Sequence, residues 1–557
     1  MAPPSPTAFP SPSGNAGPTS APSASPNAAP VAELAAGLLA ITVSDGVRVR
    51  SLPHVADDSI KYSPVLPTGA SLLVTGGPVV ASGYTWMEVA PLSVKLAGGV
   101  DRGWVAVADH DGTPWVAVDP DPTPGYELAS SSAARVAGTL AAAKREASQA
   151  NAFGVALYRK LLASGTVKAS SGMVFSPTSI VDALAMARAG AKGETATQMD
   201  AVLRAAGWDE LGLGIASLDE QLASRDATFA DFEGKLHTLA LRLANIAFVQ
   251  RGFPVDSTYL ARVGRTFGAG IALVDFKADT AGAIRAVNGW VSRQTMGRIP
   301  VIVDKNSITD ATRLALVNAI YLRANWAREF WPSQTRQEAF AVPGGRAVSV
   351  AMMHQDGAQS IGLATGLGWK ATELYYLGKD GRPLAMTLIL PDNLTAFERT
   401  LSTSVLDAVQ AKITAEERRI EKSTEATSAG DCGTYAYQVA LGLPRFGVET
   451  AVELARILGA MGMPLAVTRG AADFTAINPD AQLYINAVVH KANVDVDEKG
   501  TTASAATVVS VDTGGCTGPE PAKTVALTFN RPFLFLIRDV KTGAIAFIGR
   551  VTDPTKR

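Results

Sequence analysis

The side chains best suited to covalent or acid–base chemistry are few and scattered along this chain. Its 557 residues include five histidines (His54, His110, His237, His354 and His490) and two cysteines, Cys432 and Cys516. There is no H-E-x-x-H pair, no G-x-S-x-G elbow and no phosphate-binding loop. Zinc hydrolysis, triad-type acyl transfer and nucleotide hydrolysis therefore have no constellation to work with. No metal-ligand set and no cofactor fingerprint stands out, and Cys516 as a nucleophile lacks an evident histidine partner. One segment is unusual in another way. Between Gly500 and Asn530 small residues crowd together as Thr501, Thr502, Ala503, Ser504, Ala505, Ala506 and Thr507, with Gly514, Gly515 and Cys516 following. So long a loop in a compact domain is generally functional. In isolation its Ala-rich half fits helix, loop or strand.

The rest of the chain must position that segment. Its length calls for more than one domain. Fifty basic and 51 acidic side chains leave a formal charge of −1, so no global field draws the protein to nucleic acid or an anionic membrane. The apolar run Ala35–Val43 is too short to span a bilayer. Residues 1–37 begin as Pro, Ser, Ala and Gly without a Lys or Arg, which is the composition of a disordered stalk and not of a signal peptide. In 38–126 short alternating runs predict strands: Val47–Arg50, Leu72–Val74, Tyr84–Val89 and Gly103–Val107, with a Leu66-Pro67-Thr68-Gly69 turn. These motifs resemble a bacterial SH3-like all-β domain, which implies attachment to cell wall or matrix, or a spacer. Residues 127–148 read as a helical or flexible linker, with helix-forming composition over Ala133–Ala150.

The large domain, 149–557, opens on Phe153, Ala156, Leu157 and Leu161, spaced for one helical face. Leu314–Leu322 is a nearly unbroken apolar run with Asn318 as its polar member. It predicts a central strand buried on both faces, whose amide needs partners inside. Phe533–Ile537, a Lys541-Thr542-Gly543 turn and Ile545–Ile548 predict a buried hairpin.

Five stretches then occur in one order: Val174–Ile180 with Gly190–Thr195; Leu316–Leu322 with Trp326 and Phe330; Leu443–Phe446; Val489–Ala492 leading to Asp497–Thr501; and Asn530–Ile537. Together they resemble the serpin family of protease inhibitors. The resemblance implies an α+β fold of three β-sheets with an exposed reactive-centre loop, here behind an SH3-like barrel. It also implies a suicide inhibitor that traps a serine (alternatively a cysteine) endopeptidase covalently by inserting the cleaved loop into its main sheet. The alternative is a non-inhibitory member acting as a surface or binding protein through the SH3-like domain.

By the same resemblance Ser176, Ser179, Asn318 and His490 form a polar cluster under the main sheet, and Arg445 pairs with Glu498 beside Trp326. Glu498, Gly500 and Thr501 to Thr507 form the hinge. On insertion Thr501, Ala503, Ala505 and Thr507 would face a close-packed core, where only small side chains enter. Thr502 replaces the usual Glu but would face outward. The family's spacing, counted from Glu498 along an extended strand, implies a scissile bond at Gly514–Gly515, whereas the family's spacing counted back from Pro532 implies one near Pro521, because this loop is longer than usual. Small residues there suit an elastase-like or subtilisin-like target and not a trypsin-like one. Cys432 and Cys516 are either a disulfide that tethers the loop or two free thiols. The whole implies an extracellular or cell-surface monomer of bacterial type.

Overall fold

The structure, a computed structural model, describes residues 34–66, 68, 70–91, 96, 100, 102–119, 126–129, 131, 133–230, 236–268, 270–295, 298–355, 361–424, 437–479, 482–501 and 524–556. Five strands come first: β1 (Leu39–Thr42), β2 (Ser71–Ala81), β3 (Tyr84–Pro91), β4 (Gly103–Ala106) and β5 (Val116–Val118). They form an antiparallel sheet in the order β4-β3-β2-β1-β5. Alternation sorts their side chains. Leu72, Val74, Met87, Val89 and Val105 enter a core of their own, while Leu73 and Ala90 turn the other way. Val47 and Arg50, expected in a strand, make isolated bridges instead, Val47 to Leu66 and Arg50 to Lys61 and Trp104.

The remaining elements are β6 (Glu127–Ala129), α1 (Leu140–Ala163), β7 (Met173–Phe175), α2 (Pro177–Arg188), α3 (Gly193–Leu203), α4 (Trp208–Ala223), β8 (Ala227–Ala230), β9 (Leu236–Gln250), α5 (Ser257–Phe267), β10 (Ile271–Val274), α6 (Thr280–Gln294) and β11 (Leu314–Asn325). After them come β12 (Arg336–Ala341), β13 (Ala347–Gln355), β14 (Ala364–Gly366), β15 (Trp369–Tyr375), β16 (Leu384–Pro391), α7 (Leu394–Thr400), α8 (Thr403–Thr424), β17 (Gln438–Pro444), β18 (Phe446–Glu453) and α9 (Ala455–Met461). The chain ends in β19 (Ala487–Val496), β20 (Gly500–Thr501), β21 (Thr524–Thr528), β22 (Phe533–Asp539) and β23 (Ile545–Val551). Between β5 and α1, Glu127–Ala129 supplies an edge strand on β10, and the helix starts at Leu140, capped by Thr139, and not at Ala133.

Three sheets make up this larger part among the described residues. The main sheet runs β18-β19-β20-β11-β9-β10-β6, with β8 on β9; a six-stranded sheet runs β14-β15-β16-β22-β23-β7, and a four-stranded one β12-β13-β17-β21. β11 is buried along nearly its whole length, as its apolar run requires. Ile320, Leu322 and Ala324 face one core, whereas Ala315, Val317 and Ala319 face the α6 side chains Val287, Trp290 and Val291. Behind the sheet lies α2, with every residue buried. Its apolar composition on all sides suits such a central place. Ser176 caps it, accepting from the Ser179 N–H, with Pro177 in the first turn. The predicted C-terminal hairpin is β22–β23. No described helix is long and apolar enough to cross a membrane.

One ion pair sits deep in the fold. Arg550, on β23, is 1% exposed and reaches Glu398 at 2.9 Å, while the Tyr158 hydroxyl donates to the same carboxylate at 2.6 Å. Lys168 and Ser171 carbonyls accept the remaining guanidinium hydrogens. Removing one member leaves the other charge buried and unpaired. Glu398→Ala should cost about 3–5 kcal/mol, read as a lower midpoint in urea unfolding.

Candidate functional site

The central strands of the main sheet are closed over one half and parted over the other. β11 and β19 run parallel and pair directly from Ala315–Ala487 to Ala319–Lys491. Above that, β20 stands between them: Thr501 pairs with Ala324 on one side and with Val496 on the other, and Gly500 pairs with Asn325.

A polar row crosses the sheet near the upper end of the direct pairing. Register aligns Asn245 of β9, Asn318 of β11 and His490 of β19. Asn318 Nδ2 donates to the Ser179 hydroxyl, the Ser179 carbonyl and Asn245 Oδ1. His490 Nε2 accepts from the Ser176 backbone N–H at 3.1 Å, so its proton is on Nδ1, which donates to Asn318 Oδ1. Burial pushes the imidazole down to about 3, so His490 is neutral and serves as a connector and not as an acid or base.

The second cluster forms the seat of β20. Between β19 and β20, Asp497 accepts through its carboxylate from the Lys499 and Gly500 N–H groups, closing a tight turn. Arg445 Nε lies 2.8 Å from both Glu498 oxygens, and the Thr335 hydroxyl donates to one of them. Burial pushes the Glu498 carboxyl up, but the hydrogen bonds from Arg445 and Thr335 outweigh it and hold it below the ordinary glutamate range. Glu498 is only 6% exposed, while Arg445 is half exposed. Trp326 donates its indole N–H to the Asp497 carbonyl at 3.0 Å and stacks on Tyr376 at 4.5 Å. The Tyr376 hydroxyl lies 2.6 Å from Thr501 Oγ1, and both residues are fully buried. Gly500 adopts φ +154°, and a Cβ there would overlap the Ala324 carbonyl oxygen at 2.0 Å. Freedom of the backbone is thus only half the reason for this glycine; the close approach of β11 is the other half.

The structure therefore brings together Ser176, Ser179, Asn318 and His490, and separately Glu498, Gly500, Thr501, Trp326 and Arg445. Thr502, Ala503, Ser504, Ala505, Ala506, Thr507, Gly514, Gly515, Cys432 and Cys516 lie outside the described residues. Sequence reasoning missed Asn245, Thr335 and Tyr376. Asn245 carried a usable signal, as a lone amide in the apolar run Leu241–Val249. Thr335 and Tyr376 carried none, since each is a common residue at an ordinary position. Among the described residues no group of His, Cys, Asp and Glu could hold a metal ion.

Known proteins resemble this chain. A family model described as "Serpin (serine protease inhibitor)" matches residues 148–554. The leukocyte elastase inhibitor of Xenopus laevis is 30% identical over 385 residues, which cover 69% of this chain and 94% of that one. An uncharacterized serpin-like protein of Thermococcus kodakarensis is 33% identical over 407 residues, 72% of this chain and 84% of that one. Among solved structures, human glycosylated kallistatin superposes with a TM-score of 0.60 at 24% identity, covering 75% of this chain and all of that one. That last likeness concerns the fold alone.

Two outcomes test the site. His490 takes up a proton in the unfolded chain near pH 6.5 but in the folded one only near 3. Stability should therefore fall as pH drops through that window, by up to about 1.4 kcal/mol per pH unit. Urea unfolding at stepped pH should show the gap between wild type and His490→Gln narrowing at that rate. In Gly500→Ala the new methyl cannot coexist with the Ala324 carbonyl, so β20 should leave its seat. Amide hydrogen exchange over residues 494–501 should then rise about tenfold or more, the equivalent of one lost hydrogen-bonded contact.

Proposed function

The chain belongs to the serpin family, and from that premise we propose that it inhibits a serine endopeptidase as a suicide substrate. The target cleaves the loop after Thr501 and is trapped as an acyl-enzyme when the loop enters the main sheet between β11 and β19. Relatives carrying the name leukocyte elastase inhibitor support protease inhibition in general and argue against a catalytic enzyme. The observation that carries the trapping step is the seat of Thr501, already between the strands that must part, at the upper end of a gap closed only below.

Register gives the proposal detail. Continuing the Ala324–Thr501 pairing down β11 sets Ala503 opposite Leu322, Ala505 opposite Ile320 and Thr507 opposite Asn318. Those β11 residues face the inner core together with Ala324. Residues directly opposite in an antiparallel pair share a face, so Ala503, Ala505 and Thr507 would enter the core and Thr502, Ser504 and Ala506 would not. Val511 would reach Leu314, the lower end of β11, after a run of roughly 33 Å at 3.3 Å per residue. A bond at Gly514–Gly515 then lies just beyond the sheet, which suits full insertion with the acyl link at its far edge. Small uncharged residues there fit a shallow specificity pocket, as in elastase-like or subtilisin-like enzymes.

In front, we read residues 38–126 as an SH3-like domain on a stalk formed by 1–37, joined through 127–148 to the serpin domain 149–557. Its role would be to hold a monomeric inhibitor on cell wall or matrix outside a bacterial cell. The five-stranded antiparallel sheet with its own core supports this reading.

Incubation with pancreatic elastase, subtilisin and trypsin separately, followed by denaturing gels and mass spectrometry, tests the proposal. Elastase or subtilisin should give an adduct of summed mass that survives denaturant, with a released fragment beginning at Gly515. Ala505→Arg should abolish the adduct while leaving cleavage intact, because a long charged side chain cannot enter the core opposite Ile320. Cleavage without any adduct in the wild type would overturn inhibition and favour a surface protein that binds through its N-terminal sheet.

A further inference from the structure

Carboxyl groups gather behind the main sheet at a place that trapping does not require. Glu146 of α1 is 1% exposed and Asp182 of α2 is 2% exposed. Asp219 of α4 closes the group at a partly exposed mouth, 3.4 Å from Arg135. Neither oxygen of Glu146 has a hydrogen-bond partner among the described residues. α4 presses against it, since a Cβ on Gly214 would stand 2.6 Å from Glu146 Oε2. An ionised carboxylate so placed is costly. Burial pushes Glu146 up to about 8, with Asp219 and Glu210 adding to the effect and Arg145 opposing it. Burial, and then the charges of Asp219 and Glu146, also push Asp182 up, and Asp182 and Asp219 share a hydrogen bond. Burial raises Asp219 to about 6 against the pull of Arg135 and Asp182.

This group is wired to the sheet. Asp182 Oδ2 accepts from Asn245 Nδ2 at 3.1 Å, and Asn245 Oδ1 accepts from Asn318 and, at 3.4 Å, from the Ser179 hydroxyl. Asn318 in turn holds His490. A continuous path therefore runs from Arg135 and Asp219 at the mouth, through Asp182 and Asn245, to the polar row beside the closed half of the gap. Its Asp182–Asn245 link ties α2 to β9, the strand that pairs with β11 along ten residues. Among the described residues, the charged groups facing the cluster are Arg135, Arg145 and Glu210, and β9 contributes the neutral Asn245.

We propose that Glu146, Asp182 and Asp219 form a pH-sensitive restraint on the parting of β11 from β19, shut while protonated and released as protons leave in mildly alkaline solution, with Asn245 as the coupling residue. Its functional consequence rests on the loop-insertion reading, but its chemistry does not. Loss of the Glu146 proton sets an unpaired charge beside the Asp219 carboxylate. Loosening of α1, α2 and α4 relieves it by admitting water, and Asp182 then slackens its hold on Asn245. The closed sheet binds the proton more tightly than the opened one, so opening grows with rising pH through the Glu146 value and levels off above it. A difference of one pKa unit between the two states makes opening about tenfold more favourable.

The test is amide hydrogen exchange on the full chain, corrected for intrinsic rates, over residues 314–325 and 487–496 between about pH 6 and about pH 9. Wild type should open about tenfold more at the upper end. Glu146→Gln, a neutral side chain of the same shape, should be flat at the low-pH level. Asn245→Ala should be flat as well, while its thermal midpoint still falls with rising pH. Flat exchange in wild type, or a pH-dependent opening that survives in either variant, overturns the proposal. No protease is present in this experiment, so a failure to trap one would overturn the proposed function and leave this result standing.

Discussion

β11 and β19 are parallel neighbours that hydrogen-bond from Ala315 to Ala319 and then diverge, so that Thr501 stands between Ala324 and Val496. Most other features of the site answer to that divergence. Strands parted in a packed interior leave backbone N–H and C=O groups that must be paired. The short β20 satisfies those at the top, and the turn at Asp497 and the stack of Trp326 on Tyr376 fix where it sits. Its carriers are small because the gap is narrow: glycine where β11 comes closest, and then a threonine whose hydroxyl finds the Tyr376 hydroxyl.

Lower down, the direct pairing of β11 with β19 and the apolar packing of its side chains are joined by a polar side-chain network. Asn245, Asn318, His490, Ser176 and Ser179 satisfy one another inside the protein. A buried hydrogen bond contributes roughly 1 kcal/mol net, whereas a buried polar group left unpaired costs about 1–3 kcal/mol. A network of this kind is therefore modestly stabilising when complete and expensive when half broken. That property suits the proposed insertion, in which the seam stays closed until something else supplies the energy to open it. Ladder bonds alone would not, because each newly ordered residue costs about 1–2 kcal/mol of entropy. In the proposed insertion, the burial of Ala503, Ala505 and Thr507 would have to contribute the rest.

The N-terminal sheet is not simply strung ahead of this machinery. Leu73 and Ala90 pack on Ala240 of β9 and Tyr321 of β11, and Glu88 approaches Arg323 at 3.8 Å. Those β11 residues lie just below Ala324, on the outer face left open above α6. The edge strand β6 adds a second attachment on β10. Both contacts lie on the β9–β11 side of the gap, so they stiffen that lip of it.

Several things were decided by the chain alone. An apolar run such as Leu314–Leu322 has no stable place except a strand covered on both faces, and its single amide had to meet partners inside. The series of motifs from Val174 to Ile537 identified the family. Local pattern could not say that Asn245 would stand level with Asn318, because strand register depends on the partner strand. Nor could it find Tyr376 for Thr501, or bring Glu146, Asp182 and Asp219 together from three helices. Composition and spacing describe what each residue can do, whereas burial, charge proximity and cross-strand alignment arise only when distant segments pack. The pH sensitivity of this seam is a property of that packing.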